Sequence, residues 1–449
     1  MKLLAKSAVA RSGVVPLAPG GLPLVGHLIP LARRRLDYLL ELRGLGDLVR
    51  IRVGSSDFYV VNSPQLLNQV LVTRADSFDR GRVFAKARAF AGYGIATSDG
   101  AYHLKQRRMM MPAFHVARLR EYAEAMVEES TRLTGRWQAG QRVDLDRAMH
   151  RLLCAITART LFRQGLSEEA AAEVSKHLDT LLKGVLWHTI APDLLGSLPT
   201  PGNRRFDRAG TELRELVTDF VQAYLADPTD RGDLLSMLVA ARDDGTDQGM
   251  TSEQLLDEVL TIFFSGMETS ATTLSWLFHE LGRNPELYER LTDEVDSVLQ
   301  GRNAGFDELP QLVFTRRLVT EALRLYTPPW ILMRTSNTEV DLGGAQLPAG
   351  TNLVYSLTAM HRDPALYAQP DRFDPDRWAD PELKAPYMPF GGGRHKCIGD
   401  HFAMTEMVIV VATIVARWRL VPVPGVEVRE IAHGTLRPSS LPMTVQPRS

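Results

Sequence analysis

Cys397 sits in a stretch that no ordinary helix or strand accommodates: Pro389-Phe390-Gly391-Gly392-Gly393-Arg394-His395-Lys396-Cys397-Ile398-Gly399. Three consecutive glycines permit positive φ and close backbone approach, so a tight loop pressed against a neighbour is expected. Phe402, Met404, Met407, Val408, Val411, Ala412 and Val415 then form a helical apolar run. The cysteine therefore falls where a glycine-rich loop meets a helix N-terminus, and free N–H groups there favour a thiolate. Such a thiolate is a metal ligand or a nucleophile. The plain alternative is a buried structural cysteine, which leaves the glycines and Phe390 unexplained.

Other segments carry reactive types at suggestive spacing. Phe264-Ser265-Gly266-Met267-Glu268-Thr269-Ser270 places a glycine inside a helical pattern, at a cost of about 1 kcal/mol against alanine. An acid and an alcohol follow it, and a hydroxyl bonded to a backbone carbonyl opens a helix locally. His103 and Arg107, four apart, share one helix face; by themselves they read as a solvated basic face. Glu321 and Arg324 are an E-x-x-R pair, a common surface arrangement. Asp243-Asp244-Gly245-Thr246-Asp247 is a D-D-x-x-D run of the kind that holds Mg²⁺ against a diphosphate, or else a solvated acidic turn. The second acidic cluster that a terpene cyclase needs is missing, because Gly232 and Ala240 occupy its outer positions.

The elements that must position these residues are partly legible. Thr251-Ser252-Glu253-Gln254 is a capping box, Leu255, Val259, Ile262 and Phe263 form a stripe, and Asn284-Pro285 ends the run. That helix spans roughly 45–50 Å, enough to cross the molecule. Residues 48–61 read as a hairpin, Ser63-Pro64 opens a helix through Leu71, and 79–100 reads as a long glycine-rich loop. Residues 116–226 give amphipathic helices broken at Gly140, Gly165 and Pro192 to Pro201, and Val340 to Val354 reads as a hairpin. Of 449 residues, 45% are hydrophobic and 23% charged, with net charge −1, which fits a globular chain and gives no reason to expect nucleic-acid binding. Two cysteines fit a reducing, cytoplasmic setting; Cys154 reads as a core thiol. No apolar run is long enough for a transmembrane anchor. Residues 1–15 read as a disordered tail and 16–449 as one catalytic domain.

The Phe390–Gly399 stretch resembles the cysteine loop of the cytochrome P450 family, F-x-x-G-x-[R/H]-x-C-x-G, with His395 in place of the commoner arginine. Gly266–Thr269 resembles the family's [A/G]-G-x-[D/E]-T groove, with Ser265 at its first position. His103 and Arg107, Glu321 and Arg324, and Pro370-Asp371-Arg372-Phe373-Asp374-Pro375-Asp376-Arg377-Trp378 match further family segments in the family's order. The resemblance implies a mainly α fold with small β-sheets, a triangular prism with haem between the long central helix and the cysteine loop. It implies Cys397 as iron ligand, with Phe390 and Gly399 in the ligand loop, Gly266 leaving room for O2, and Thr269 and Glu268 relaying protons. His103, Arg107, Arg334 and His395 would meet the haem propionates, and Glu321, Arg324 and Arg377 would brace the ligand side.

The implied reaction inserts one oxygen atom from O2 into a C–H bond. Haem b is the implied cofactor, with electrons from NAD(P)H through a separate ferredoxin and reductase, since 52 residues follow Cys397. Arg394, Lys396, Lys105 and Arg108 would offer that partner a basic patch, and a monomer is expected. The stretch from Ala18 to His27 and Pro328 to Arg334 resemble actinobacterial sesquiterpene oxidases of antibiotic biosynthesis, which implies a small hydrophobic substrate oxidised stepwise at a methyl group. Phe84, Phe90, Tyr93, Ile95, Leu182, Val185, Leu186, Trp187, Ile190, Trp330, Ile331 and Leu332 are the candidate pocket walls, with the tip at Gly434–Pro438 returning to the pocket. The alternatives are a fatty-acid hydroxylase anchored by Arg80, Arg82 or Arg88, a haem peroxygenase or isomerase, and a cyclase acting through Asp243, Asp244 and Asp247.

Overall fold

The computed structural model describes residues 15–448 apart from 164–166, 191–197, 227, 228, 230, 244 and 246, and apart from the side chains of 168, 186, 187, 189 and 190. All but the last residue of the tail expected over 1–15, most of the break expected at 192–201, and Asp244 lie outside the described residues.

Fourteen α-helices are seen among them. They are α1 (Leu28–Leu42), α2 (Pro64–Asn68), α3 (Arg82–Ala91), α4 (Gly100–Met110), α5 (Val116–Gly135), α6 (Leu145–Leu161), α7 (Glu168–Ile190), α8 (Pro201–Ala226), α9 (Leu234–Ala240), α10 (Ser252–Arg283), α11 (Pro285–Leu299), α12 (Val313–Leu325), α13 (Leu357–His361) and α14 (Asp400–Val415). A five-stranded sheet at one side is ordered β1 (Leu48–Val53), β2 (Ser56–Val61), β8 (Asn352–Tyr355), β5 (Leu332–Ser336), β3 (Phe78–Asp79). Hairpins β6 (Val340–Leu342) with β7 (Ala345–Leu347), and β10 (Glu430–Ala432) with β11 (Leu436–Pro438), and a three-stranded sheet of β4 (Arg142–Asp144), β12 (Pro442–Pro447) and β9 (Trp418–Pro422) complete the fold.

The capping box forms at α10. Thr251 Oγ1 accepts from the Gln254 N–H at 3.2 Å, and Gln254 Oε1 accepts from the Thr251 N–H at 2.8 Å. Pro285 opens α11 directly after Asn284, because proline costs nothing at a first helical position. From Ala271 to Phe278 every residue of α10 is buried, packed among α6, α12 and α14. Helix α14 is buried from Thr405 to Val415. These two apolar helices cross the core and present the candidate residues between them.

Three local expectations fail. The loop expected over 79–100 contains α3, whose Ala87, Phe90 and Ala91 are buried on one face. Its glycines are caps: Gly81 (φ 84) precedes the helix and Gly92 (φ 65) ends it. The α-helix expected from Ser63 to Leu71 stops at Asn68 and loosens into a π-turn over Gln69–Thr73. The hairpin expected over 340–354 is β6–β7 alone; β8 instead joins the large sheet beside β2 and β5. Among the described residues no helix is long and apolar enough to cross a membrane.

Candidate active site

The cysteine loop is built against the π-turn. Gly391 (φ 71) and Gly393 (φ 64) adopt left-handed backbone, and a Cβ on Gly393 would collide with the Leu71 carbonyl. Only glycine meets both demands. The Cys397 N–H donates to the Phe390 carbonyl at 2.9 Å, closing the loop on itself. Cys397 is exposed, and its exposed surface faces an internal cavity of ≈ 300 Å³ that the sulfur helps to line. Burial among protein atoms pushes its thiol up, while the Gly399 N–H, Arg107 and Lys396 pull it down. The helix N-terminus expected to hold a thiolate is thus outweighed by burial, and a cation at the sulfur would be needed to restore the charge.

Gly266, Thr269, Phe390, His395, Gly399, Arg107 and Arg334 line the same cavity. Gly266 lies on α10; a Cβ there would meet only Thr157, with Oγ1 at 3.5 Å. No protein atom forbids a side chain at 266, so any demand for glycine comes from what enters the cavity. Thr269 Oγ1 donates to the Ser265 carbonyl at 2.8 Å.

Glu268 is not part of that wall. Its carboxylate lies behind α10, where Oε2 is 2.9 Å from His150 Nε2 and Oε1 accepts from Thr435 Oγ1 at 2.6 Å. Arg437 stands 3.7 Å away and bonds Asp146 at 2.8 Å. Burial disfavours the Glu268 charge, but His150, Arg437 and Thr435 outweigh it and hold the carboxyl down at about 2. Burial likewise opposes the His150 charge, and Glu268 and Asp146 override it, so that pKa rises. The 434–438 tip expected to reach the pocket meets this network instead, through Thr435.

One rim of the cavity is cationic. Arg80, Arg107 and Arg334 line it beside His395, whose ring packs at a tilt of 49° against that of His103 with centroids 4.3 Å apart. His103 lies 3.1 Å from the Ile95 carbonyl and 3.2 Å from that of Arg394. Burial first, then Arg80, lowers His103 to about 4, and burial with the neighbouring cations drives His395 down as well. Burial and Arg334 lower Arg80 to about 9. Among the described residues neither ring nitrogen of His395 has a hydrogen-bond partner. A cavity with buried cations on one rim, orphaned imidazole nitrogens and a thiol at its floor fits an anionic, metal-centred group.

Arg80 is tied to the Ile95 and Ser98 carbonyls at 2.9 and 3.3 Å, and Arg88 to Asp99 and Thr97. Neither is held ready for a fatty-acid carboxylate. Above the cavity, Asp257 accepts from the Tyr93 N–H at 2.7 Å and Glu258 from the Ile95 N–H at 2.8 Å, stapling the segment after α3 to α10. Gly92 is required there, since a Cβ would strike Asp257.

Of the expected pocket walls, Phe84, Ile95 and Leu332 line the cavity. Phe90 packs on Phe206 and Phe264, Tyr93 on Tyr102, and Trp330 is fully buried with Nε1 on the His433 carbonyl. Leu182 and Val185 are buried in the core away from the lining, and the side chains of Leu186, Trp187 and Ile190 lie outside the described residues. The expected basic patch is internally paired: Lys105 and Arg108 with Asp243, Lys396 with Asp400, Arg394 with Asp76. Those pairs also engage the first aspartate of the D-D-x-x-D run. Among the described residues no group of three or more histidines, cysteines or acids is arranged to hold a metal.

Sequence reasoning missed several lining or network residues. His150 looked like part of an apolar helix. Glu406 sits in the apolar run of α14, lines the cavity, and burial pushes it up to about 8. Thr157, Thr160 and Thr261 also line the cavity and carry no motif.

The profile of the family described as Cytochrome P450 matches residues 16–445. The chain is 43% identical over 436 residues to cyclooctat-9-en-7-ol 5-monooxygenase of Streptomyces melanosporofaciens, covering 96% of this chain and 95% of that one. It is 41% identical over 429 residues to pentalenene oxygenase of Streptomyces avermitilis, covering 94% and 95%. The crystal structure of the cytochrome P450DA heme domain superposes with a TM-score of 0.86 over 97% of this chain and 98% of that one, at 24% identity, which establishes the fold.

Proposed function

The chain belongs to the cytochrome P450 family and is a monooxygenase, and we propose that its substrate is a polycyclic terpenoid oxidised at a C–H bond inside the cavity between α10 and the cysteine loop. The observation that carries the reading is the convergence of Cys397, Gly266 and Thr269 on one largely apolar cavity with a cationic rim. The family implies haem and O2. Bound there, haem supplies one-electron redox chemistry and oxygen activation.

In this proposal Cys397 Sγ ligates the iron, within the loop that Phe390 and Gly399 shape. Arg107, Arg334 and His395 hold the propionates, with His103 packed behind His395. Gly266 keeps the face of α10 open, and Thr269 Oγ1 holds a proton at the cavity wall. Glu268 is a positioning group whose charge stays on the far side of α10 with His150 and Arg437. It reaches the cavity only by leaving that network. Electrons come from separate redox proteins. Two relatives whose names specify a terpenoid, at more than 40% identity over nearly the full length, support the substrate class.

The test is the difference spectrum of the reduced protein with carbon monoxide. A red-shifted thiolate band is expected in the wild type and its loss in Cys397→Ser. An unchanged spectrum in the variant would refute the ligand assignment.

A further inference from the structure

No residue from Ala18 to His27 lines the cavity, and this stretch and its flanks are unusually exposed. Leu17 is 49% exposed, Leu22 49%, Leu24 94% and Ile29 40%. Single exposed apolar side chains are ordinary, but among the described residues no other stretch of that length holds four.

Leu24 sits at the tip of a tight turn. The Leu22 and Gly26 N–H groups donate to each other's carbonyls at 3.0 and 2.9 Å, and the Val25 N–H donates to the Pro23 carbonyl at 2.8 Å. Leu24 lies inside that inner turn at φ 65, a left-handed conformation that suits glycine or asparagine. The strained position is thus given to a large apolar side chain that packs on almost nothing. The base of the turn is fixed. Gly26 (φ 60) presses on β1, where a Cβ would collide with the Arg52 carbonyl. The buried His27 ring accepts from the Arg52 N–H through Nδ1 at 3.0 Å, which leaves Nε2 to donate to the Ala18 carbonyl at 2.9 Å. Leu17 pairs with Arg50 and Gly26 with Val53, so Leu17 and the turn lie along the same edge strand, about 10 Å apart.

Charge sets this end of the chain apart. The first 36 residues hold six lysines and arginines and no acid, in a protein of net charge −1. None of the six falls between Ser12 and Ala32. Arg34 pairs with Glu41, Arg35 turns inward to the Ala432 carbonyl, and Arg50 and Arg52 beneath the turn share Asp57. Arg33 is exposed and has no partner among the described residues, and Lys2, Lys6 and Arg11 precede the turn in sequence. An apolar tip flanked by cations matches an anionic bilayer, where the tip enters the acyl boundary and the cations meet phosphate. A second copy of the chain would set cations against cations.

We propose that this turn docks the protein peripherally on an anionic phospholipid bilayer, with Leu22 and Leu24 entering it and Lys2, Lys6, Arg11 and Arg33 drawn to its headgroups. Either signal alone gives weak, reversible attachment, and the two together hold. The inference stands apart from the substrate reading. A hydrophobic substrate dissolved in the same lipid reaches the protein without crossing water.

The experiment is co-sedimentation of the full-length holoenzyme with vesicles of phosphatidylcholine, alone or with about one-third phosphatidylglycerol, at about 0.15 M and about 1 M salt. Binding is expected to the anionic vesicles and should fall at high salt. Leu24→Asn suits the left-handed φ, so its thermal unfolding should match or exceed the wild type and its carbon monoxide spectrum should be unchanged. Its affinity for the anionic vesicles should fall roughly tenfold or more. Arg33→Gln should lose about fivefold. No binding to either vesicle, equal binding to both, or binding that Leu24→Asn leaves intact would overturn the inference. So would self-association without vesicles that Leu24→Asn abolishes, which would make the turn a contact between copies. None of these outcomes bears on the terpenoid reading.

Discussion

Glu321 and Glu406 are both shut away from solvent on helices that pack against each other, α12 and α14, yet they are treated in opposite ways. Glu321 accepts five hydrogen bonds of 2.9–3.0 Å, from Arg324 Nε and a terminal nitrogen, Arg377 Nε, Trp378 Nε1 and the Asp374 N–H. Arg324 spends its remaining donors on the His361, Pro370 and Arg372 carbonyls. Among the described residues neither oxygen of Glu406 has a partner by hydrogen-bond geometry; the Ser270 hydroxyl beside it eases the burial only in part. The chain completes the first site unaided. The second lines the cavity. One buried carboxylate is thus completed by the chain itself and the other is left incomplete beside the cavity.

The largest effect should come from breaking the finished side. Glu321→Ala leaves two buried guanidinium groups without their shared carboxylate, and removing one partner of a buried ion pair costs roughly 3–5 kcal/mol. Denaturant unfolding should show that loss. A change below 1 kcal/mol would mean that the network is not the brace described.

That brace was legible in the sequence because its parts have fixed spacing: Glu321 and Arg324 three apart on one helix, and Arg377-Trp378 closing the proline-rich segment. The cysteine loop and α10 were legible for the same kind of reason, three glycines before a cysteine and a capping box before a stripe. The segment after Asp79 was misread because glycine was counted as loop when Gly81 and Gly92 terminate a helix. Glu268 and Thr269 were read as a pair because they are neighbours in sequence, yet adjacent helical residues point to different faces. Glu406 gave no signal, because its position in α14 looks solvent-facing unless the packing around the whole helix is known.

A second effect sharpens the contrast from the unfinished side. The folded Glu406 carboxyl has its pKa raised to about 8 from an ordinary 4.5, chiefly by burial. Between those values the folded state keeps a proton that the unfolded state releases, so this group makes stability fall as pH rises. The slope is at most roughly 1.4 kcal/mol per pH unit. Glu406→Gln stays neutral and should flatten that part of the profile, equalling the wild type near pH 5 and exceeding it toward pH 8. Thermal melts across that range test this. Parallel profiles would show that Glu406 is already satisfied by a partner.

The smallest effect belongs to Glu268, a finished site one residue from the cavity-lining Thr269. Glu268→Gln keeps an acceptor for Thr435 and exchanges a charged for a neutral hydrogen bond to His150, a difference of about 1 kcal/mol. Its pH dependence is distinctive. The Glu268 carboxyl is depressed to about 2 from 4.5, so its contribution is complete above 4.5 and disappears as pH falls toward 2. The His150 imidazole is raised above its ordinary 6.5, so its contribution is complete below 6.5 and disappears as pH rises through the raised value. The stability gap between wild type and variant should therefore be widest between about pH 4.5 and 6.5 and narrow on both sides. Unfolding measured at pH 3, 5.5 and 9 checks the shape. A gap that kept widening with pH would mean that Arg437, whose charge does not titrate there, holds Glu268 and that His150 is a neutral bystander.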